Sequence, residues 1–328
     1  MSLPASMAGG AAAVRSRAVA RFDGMSPVAR AIFWMIASGV LFAFLNTIQK
    51  FLTHRLHPPE VVCLRYLVGS CILLPLAIRA GWEAYRPRRP GLHALRGVFH
   101  TGGSLIWFTV LPHVTLAETS AIGFTGPIFM MIGAALFLGE RMYLARWAAT
   151  LGAFGGVLIV LWPGLRHSDL GNTYAFWLLL SSPLMAVSFL VSKALTKYER
   201  PDAIVFWLGI MLGVFTIPFA IWSVDWSAAG PVFAVVWRWP TPVEWGLLAT
   251  CGVIGSTAHY CLTRCYHIAD VGAVQSVRFL DLLWASLLGF VVFSNVPTVW
   301  TLTGGSVICA ATIWIARRES RRRPAPAS

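Results

Sequence analysis

The chain has 328 residues, 57% of them hydrophobic and only 12% charged, against the roughly one quarter charged that a soluble domain carries. That composition excludes a water-soluble globule and leaves a multipass protein whose surroundings are the lipid bilayer. The formal charge of +13 is spread through short segments between apolar runs, where cations orient a membrane protein, so no nucleic-acid partner is expected.

Residues 1–30 are rich in Ala, Gly and Ser, with Arg15, Arg17, Arg21 and Arg30 among them and no early apolar run. They are expected to form a disordered cytoplasmic leader rather than a cleaved signal peptide. Ten runs of about 20 apolar residues follow, at 31–52, 61–78, 93–111, 116–138, 144–162, 174–195, 204–224, 245–266, 271–293 and 299–316. They predict an all-α membrane protein of ten transmembrane helices, ending in a basic cytoplasmic tail at 317–328. With the N-terminus inside, Lys50, Arg55, Arg166 and Arg238 fall outside and Arg65 and Arg278 within spans, and the other Lys and Arg all fall inside. That bias places both termini in the cytoplasm, and the chain is expected in a bacterial inner membrane. Cys63, Cys71, Cys251, Cys261, Cys265 and Cys309 all lie in apolar runs and read as small hydrophobes, not as a disulfide framework.

The chain also repeats itself. The stretch from Gly103 to Ala121 is echoed without a gap 152 residues later, from Gly255 to Ala273: Ser104 meets Ser256, Ala117 meets Ala269, and Glu118 meets Asp270. The first copy straddles spans three and four, the second spans eight and nine. Five spans, an odd number, separate them, so the copies are inverted. The halves are therefore 31–162 and 171–316, two inverted five-helix repeats, the plan by which secondary transporters build a midplane site.

Several residues resemble those of a known family. Leu64-Arg65-Tyr66 with Leu74-Pro75, the run 117–121, Gly126-Pro127, Leu138 to Arg141 and Gly152 to Gly156 in the first half, and 279–289 and 297–305 in the second, are similar to the ten-span EamA-type members of the drug/metabolite transporter superfamily. Within it the chain looks most like the branch holding S-adenosylmethionine and riboflavin uptake carriers. It departs from the pattern at Ser294-Asn295, where a counterpart of Gly139-Glu140 is expected. The resemblance implies a secondary transporter that moves a small organic metabolite by alternating access, with no cofactor.

Candidate site residues follow from polarity inside the spans. Gly126-Pro127 breaks span four, and Phe124 and Phe129 flank the break, where they can stack on a flat solute. Ser182-Pro183 and Pro218 read as packing kinks. Arg278 and Asp281 lie about 10 and 15 Å into span nine and share a face at i, i+3, one suited to an anion and the other to a cation or proton. His259 is central in span eight. Trp107, Phe124, His259, Gln275, Arg278, Asp281 and Trp284 are expected to bind the solute, with Asn46, Lys50 and Arg65 at the outer gate. The buried cations lean toward an anionic or zwitterionic solute. A zinc site of His259, Cys261, Cys265 and His267 fails because His259 points about 200° away from Cys261 around the helix, so no metal is expected. No Walker motif is present, which argues against ATP drive. The rival readings are a membrane-embedded hydrolase using Ser256 and His259, which lacks any cue for an oxyanion hole, and a channel-like pore. Gly152 with Gly156 and Gly209 with Gly213 are expected to seat neighbouring helices. An outer loop with Trp226, Trp237 and Trp239 reads as interfacial anchoring.

Overall fold

The computed structural model describes residues 22, 24–53, 55–110, 116–166, 173–221, 238–293 and 296–321, and every regular element among them is a helix. In chain order these are α1 (Pro27–Thr53), α2 (Pro58–Ala80), α3 (Pro90–Val110), α4 (Leu116–Gly123), α5 (Gly126–Leu138) and α6 (Leu144–Leu165). Then come α7 (Thr173–Leu195), α8 (Pro201–Ile221), α9 (Pro242–Ile268), α10 (Val271–Val274), α11 (Asp281–Phe293) and α12 (Val299–Arg321). A single turn, Trp82–Tyr85, precedes α3, and a 3-10 stretch, Gln275–Leu280, joins α10 to α11. Proline opens α1, α2, α3, α8 and α9, where its missing N–H costs nothing and its fixed φ suits a helix start. Thr241 and Glu244 add a reciprocal capping box to α9.

Among the described residues, eight stretches are long and apolar enough to cross a membrane: Pro27–Gln49, Pro59–Ala80, Ser120–Leu138, Leu144–Leu165, Thr173–Leu195, Pro201–Phe219, Val271–Leu288 and Val299–Arg321. The helices α3 and α9 are as long, at 21 and 27 residues, but carry His93, Arg96 and His100, and His259, Arg264 and His267. Of these six, His93, Arg96, His100 and His259 are buried against other helices, while Ile78, Leu136, Phe137, Leu144, Val291 and Leu302 face outward from theirs. An apolar exterior around polar interior helices is the arrangement a bilayer selects.

The runs 116–138 and 271–293 are each interrupted. The first breaks at Phe124-Thr125, between α4 and α5, and the second unwinds into the 3-10 stretch. Shifted by the 152 residues of the sequence echo, Phe124 to Pro127 fall on Ser276 to Phe279, so the two breaks lie at equivalent places in the echo. Neighbouring hydroxyls take up carbonyls there. Thr125 and Ser182 both donate to Ile122 O, at 2.6 and 3.2 Å, and Thr312 donates to Ser276 O at 3.4 Å.

Packing pairs α1 with α9, α3 with α7, α2 with α8 and α6 with α12 most extensively, then α2 with α9, α5 with α7 and α3 with α8. Small residues set the closest of these approaches. A Cβ at Gly156 would stand 2.8 Å from the Gly304 carbonyl oxygen, and Gly209 and Gly213 receive Tyr66, Ser70 and Leu67 of α2. The expected seat at Gly156 is thus an α6–α12 contact, backbone on backbone. Gly304→Val should cost about 2–3 kcal/mol through overpacking and lower the melting temperature of the detergent-purified protein; an unchanged melting temperature would mean the seam is looser than drawn.

Candidate functional site

The site is built where α2 crosses α9. Gly69 and Gly252 bring the two backbones together, for a Cβ on Gly252 would lie 2.9 Å from Gly69 N. This sets Arg65 and Tyr66 against Gly255, Ser256 and His259, and these residues, with Gly209 of α8, wall a small cavity.

A hydrogen-bonded chain runs from that cavity through four helices. The Tyr66 hydroxyl lies 3.3 Å from His259 Nε2 and 3.2 Å from His100 Nε2 on α3, and His100 Nδ1 lies 2.9 Å from Ser188 Oγ on α7. All four side chains are buried. Aromatic rings close around them: Phe42 of α1 stands edge-on to His259 at 5.0 Å, and Phe189 of α7 to His100 at 5.8 Å. Phe189 also carries the Arg278 guanidinium 5.1 Å from its ring centre, which joins the histidines to the 3-10 break.

At the break, polar groups outnumber their partners. Gln275 is fully buried, and neither its Oε1 nor its Nε2 has a hydrogen-bond partner; the same holds for Trp284 Nε1. Arg278 Nε approaches Asp281 Oδ2 only to 3.9 Å. Asp281 presses on α1 at Gly39, where any Cβ would collide with its carboxylate, and Trp284 Cδ1 would lie 3.5 Å away. Each buried polar group left unpaired costs about 1–3 kcal/mol. Several of them stand here beside irregular backbone, which makes this stretch the candidate for facing a ligand or water.

The structure thus brings together His259, Arg278, Asp281 and, through the same break, Gln275 and Trp284. Trp107 packs elsewhere, against Gly123 and beside Val110, Ile122 and Leu178, and Phe124 stacks on Phe279 at 5.9 Å, behind the break. Asn46 is exposed on α1; Lys50 is on the same helix, and its side chain lies outside the described residues, as do Trp226 and Trp237. Trp239 is exposed. Arg65 is 7% exposed, its guanidinium lying 4.0 Å over the Tyr66 ring, so it faces inward from its helix. Ser256 and His259 form no hydrogen bond with each other, since His259 Nε2 is turned to Tyr66, and the hydrolase dyad is not assembled. Sequence reasoning passed over Tyr66, His100, Ser188 and Phe189. His100 was findable, because the rule that singles out His259, an ionisable group deep in a span, applies to it equally.

One face of the bundle is laced shut across the sequence halves. Glu199 accepts from Arg88 N and Arg89 N at 2.8 and 3.2 Å and is paired with His93 Nε2 at 2.8 Å. Tyr85 donates to Asp202 at 3.0 Å; burial and that carboxylate push its hydroxyl up to about 12, so it stays a donor. Glu140 accepts from Val271 N and Gly272 N at 3.0 and 3.2 Å, capping α10, and burial pushes its carboxyl up from the ordinary range while those amides pull it down. Arg146 bridges Glu319 at 3.1 Å and Asp270 at 3.4 Å, and within the second half Lys193 Nζ donates to Tyr266 O and Ala269 O at 2.6 and 2.8 Å.

Comparison with known proteins places this architecture. The EamA-like transporter family matches residues 29–162 and 172–317. The chain is 35% identical over 296 residues to a riboflavin transporter of Rhizobium johnstonii, covering 90% of this chain and 93% of that one. It is 27% identical over 299 residues to an S-adenosylmethionine uptake transporter of Rickettsia bellii, covering 91% and 97%. It is 28% identical over 293 residues to the pseudopaline exporter CntI of Pseudomonas aeruginosa, covering 87% and 98%. A solved crystal structure superposes with a TM-score of 0.74 over 90% of this chain and 99% of the other at 17% identity, a likeness of fold alone. With two family units, an apolar exterior and a polar interior seam, the chain belongs to the EamA-like transporter family and is a multipass membrane transporter of small metabolites.

Proposed function

We propose that the chain is a ten-helix carrier of two inverted five-helix halves that moves its solute by alternating access across a bacterial inner membrane, with both termini in the cytoplasm. The halves are 31–162 and 171–316, flanked by the leader 1–30 and the basic tail from 317. In this reading α3 and α9 cross the membrane too, α4 with α5 forms the fourth span, and α10 to α11 the ninth. The helix pairing supports it, because each main contact maps onto itself or another when the spans are shifted by five: α1–α9 onto α3–α7, α2–α9 onto α3–α8. The two breaks map in the same way. The laced face, which holds most of the chain's cations, is the cytoplasmic one, so the described conformer is closed to the cytoplasm.

The observation that carries the proposal is the seam itself, buried Gln275 with an unused amide, Trp284 with an unused N–H, and the loosely held Arg278–Asp281 pair. These groups and His259 bind the solute; Phe124 and Trp107 support the break from behind, and Asn46, Lys50 and Arg65 line the outer approach. An amide offers paired donor and acceptor, and Trp284 a flat face, which suits a flat nitrogen heterocycle such as those in riboflavin and S-adenosylmethionine. Buried Arg65 and half-buried Arg278 against the single carboxylate of Asp281 favour an anionic or zwitterionic solute.

Reconstituted in liposomes, the protein should show saturable uptake of radiolabelled riboflavin or S-adenosylmethionine that speeds up when the same solute is loaded inside. Flux that never saturates would indicate a pore, and product formed without translocation an enzyme. Gln275→Ala should raise the half-saturation concentration roughly tenfold, the loss expected for one or two buried hydrogen bonds, and an unchanged value would remove Gln275 from the site. Tyr66→Phe strips both imidazoles of their shared partner; it should cost about 1–3 kcal/mol of stability, read as a lower melting temperature than that of the wild type. No shift would show that water replaces the hydroxyl.

A further inference from the structure

Arg65 is a buried cation with no counter-ion. No carboxylate pairs with it among the described residues, its Nε has no hydrogen-bond partner, and its guanidinium lies on the Tyr66 ring. Taking a guanidinium out of water without an anion is costly, and an aromatic face repays only part of that cost. The same cavity receives Ser256 and His259, whose Nδ1 is buried and unpartnered. Gly255 keeps the place open: a Cβ there would stand 3.1 Å from Arg65 Nη1. Guanidinium N–H groups, a hydroxyl and an imidazole nitrogen therefore meet in one small space that holds no acidic side chain.

We propose that this cavity is an oxyanion subsite, taking the carboxylate or phosphate oxygens of a ligand on Arg65, Ser256 and His259 Nδ1; the inference rests on the carrier reading for how such a ligand arrives. The hydrogen-bonded chain behind it fixes the chemistry. The Tyr66 hydroxyl has one proton and two imidazole neighbours, so it donates to one and accepts from the other. Only two arrangements are possible with neutral rings. In one, Ser188 donates to His100 Nδ1, His100 Nε2–H to Tyr66 O, and Tyr66 O–H to His259 Nε2, which leaves His259 Nδ1–H as a donor pointing at the cavity. In the other every donor is reversed, and His259 Nδ1 presents a lone pair. An oxyanion selects the first, in which four aligned bonds polarise one another toward the bound charge. The rings shift between tautomers, and the proton count stays the same. The subsite thus reports its occupancy to α3 and α7, on the other side of the seam, through Tyr66.

The test uses the full chain in neutral detergent, with sodium phosphate and sodium acetate compared against sodium chloride at matched ionic strength. Phosphate or acetate should raise the melting temperature of the wild type above that in chloride, by mass action on the folded state. Arg65→Gln should weaken that stabilisation roughly tenfold or more in anion concentration, as expected for charge-assisted hydrogen bonds. Arg238→Gln, at the exposed end of α9, should keep it. If Arg65→Gln does not fold, Ser256→Ala should still weaken it several-fold. A wild type that phosphate and acetate stabilise no more than chloride, or variants at Arg65 and Ser256 that respond like it, would overturn the proposal. Nanodiscs of phosphatidylcholine and of phosphatidylglycerol separate the sources. Stabilisation by soluble anions in both assigns the site to a solute-borne group, whereas its disappearance in phosphatidylglycerol assigns it to a lipid headgroup. Anion binding without counterflow in liposomes would sink the carrier reading alone, and counterflow without anion binding would sink the subsite alone.

Discussion

Hydrocarbon offers no hydrogen bonds, and every irregularity in this chain is arranged around that constraint. Where the backbone leaves helical geometry, at Phe124-Thr125 and across Gln275–Leu280, a hydroxyl from an adjacent helix meets a carbonyl: Ser182 on one side, Thr312 on the other. Where side chains are polar at depth, they are turned inward and linked, as in the chain from Ser188 to His259. Among those left unlinked are Gln275, Ser276 and Trp284 in and just after the 3-10 stretch, and Arg65 and His259 beside the small cavity. Unpaired polarity is expensive at such positions, which is what makes these groups the candidates for binding.

The two ends of the bundle differ in a way the sequence hints at. Glu140, after the left-handed Gly139 that ends α5, reaches across to cap α10 in the other half. Its counterpart in the second half would stand at Ser294-Asn295, which cannot offer a carboxylate to the start of α4. Arg146, Asp270, Glu319 and Lys193 reinforce the same end. A carrier that rocks between two states needs one closed end in each, and unequal lacing sets which state is favoured without solute.

Much of this was legible from residues alone. Runs of about 20 apolar residues marked the helices, and the echo between Gly103 and Gly255 suggested a repeat, because both are properties of period and spacing. Gly126-Pro127 announced the first break, but nothing in Gln275 to Leu280 has the same punctuation, and only the repeat offset carries one break onto the other. Arg278, Asp281 and His259 were visible as charges or imidazoles in apolar surroundings. Tyr66 was hidden because an isolated tyrosine in a span is ordinary, and its role depends on two histidines 34 and 193 residues away. Trp107 was expected among the solute-binding residues, and the structure packs it against Gly123.

The proposed carrier has a pocket along the seam that opens to one side at a time, held shut on the other by the Glu140 cap. Its most direct test is the reactivity of a single cysteine, Ser256→Cys in a chain without its native cysteines, toward a membrane-impermeant maleimide added to either side of oriented vesicles. The account predicts labelling from the periplasmic side alone, with labelling from the cytoplasmic side appearing once Glu140→Gln weakens the cap. Equal labelling from both sides before that change, or one-sided labelling that the change does not move, would contradict it.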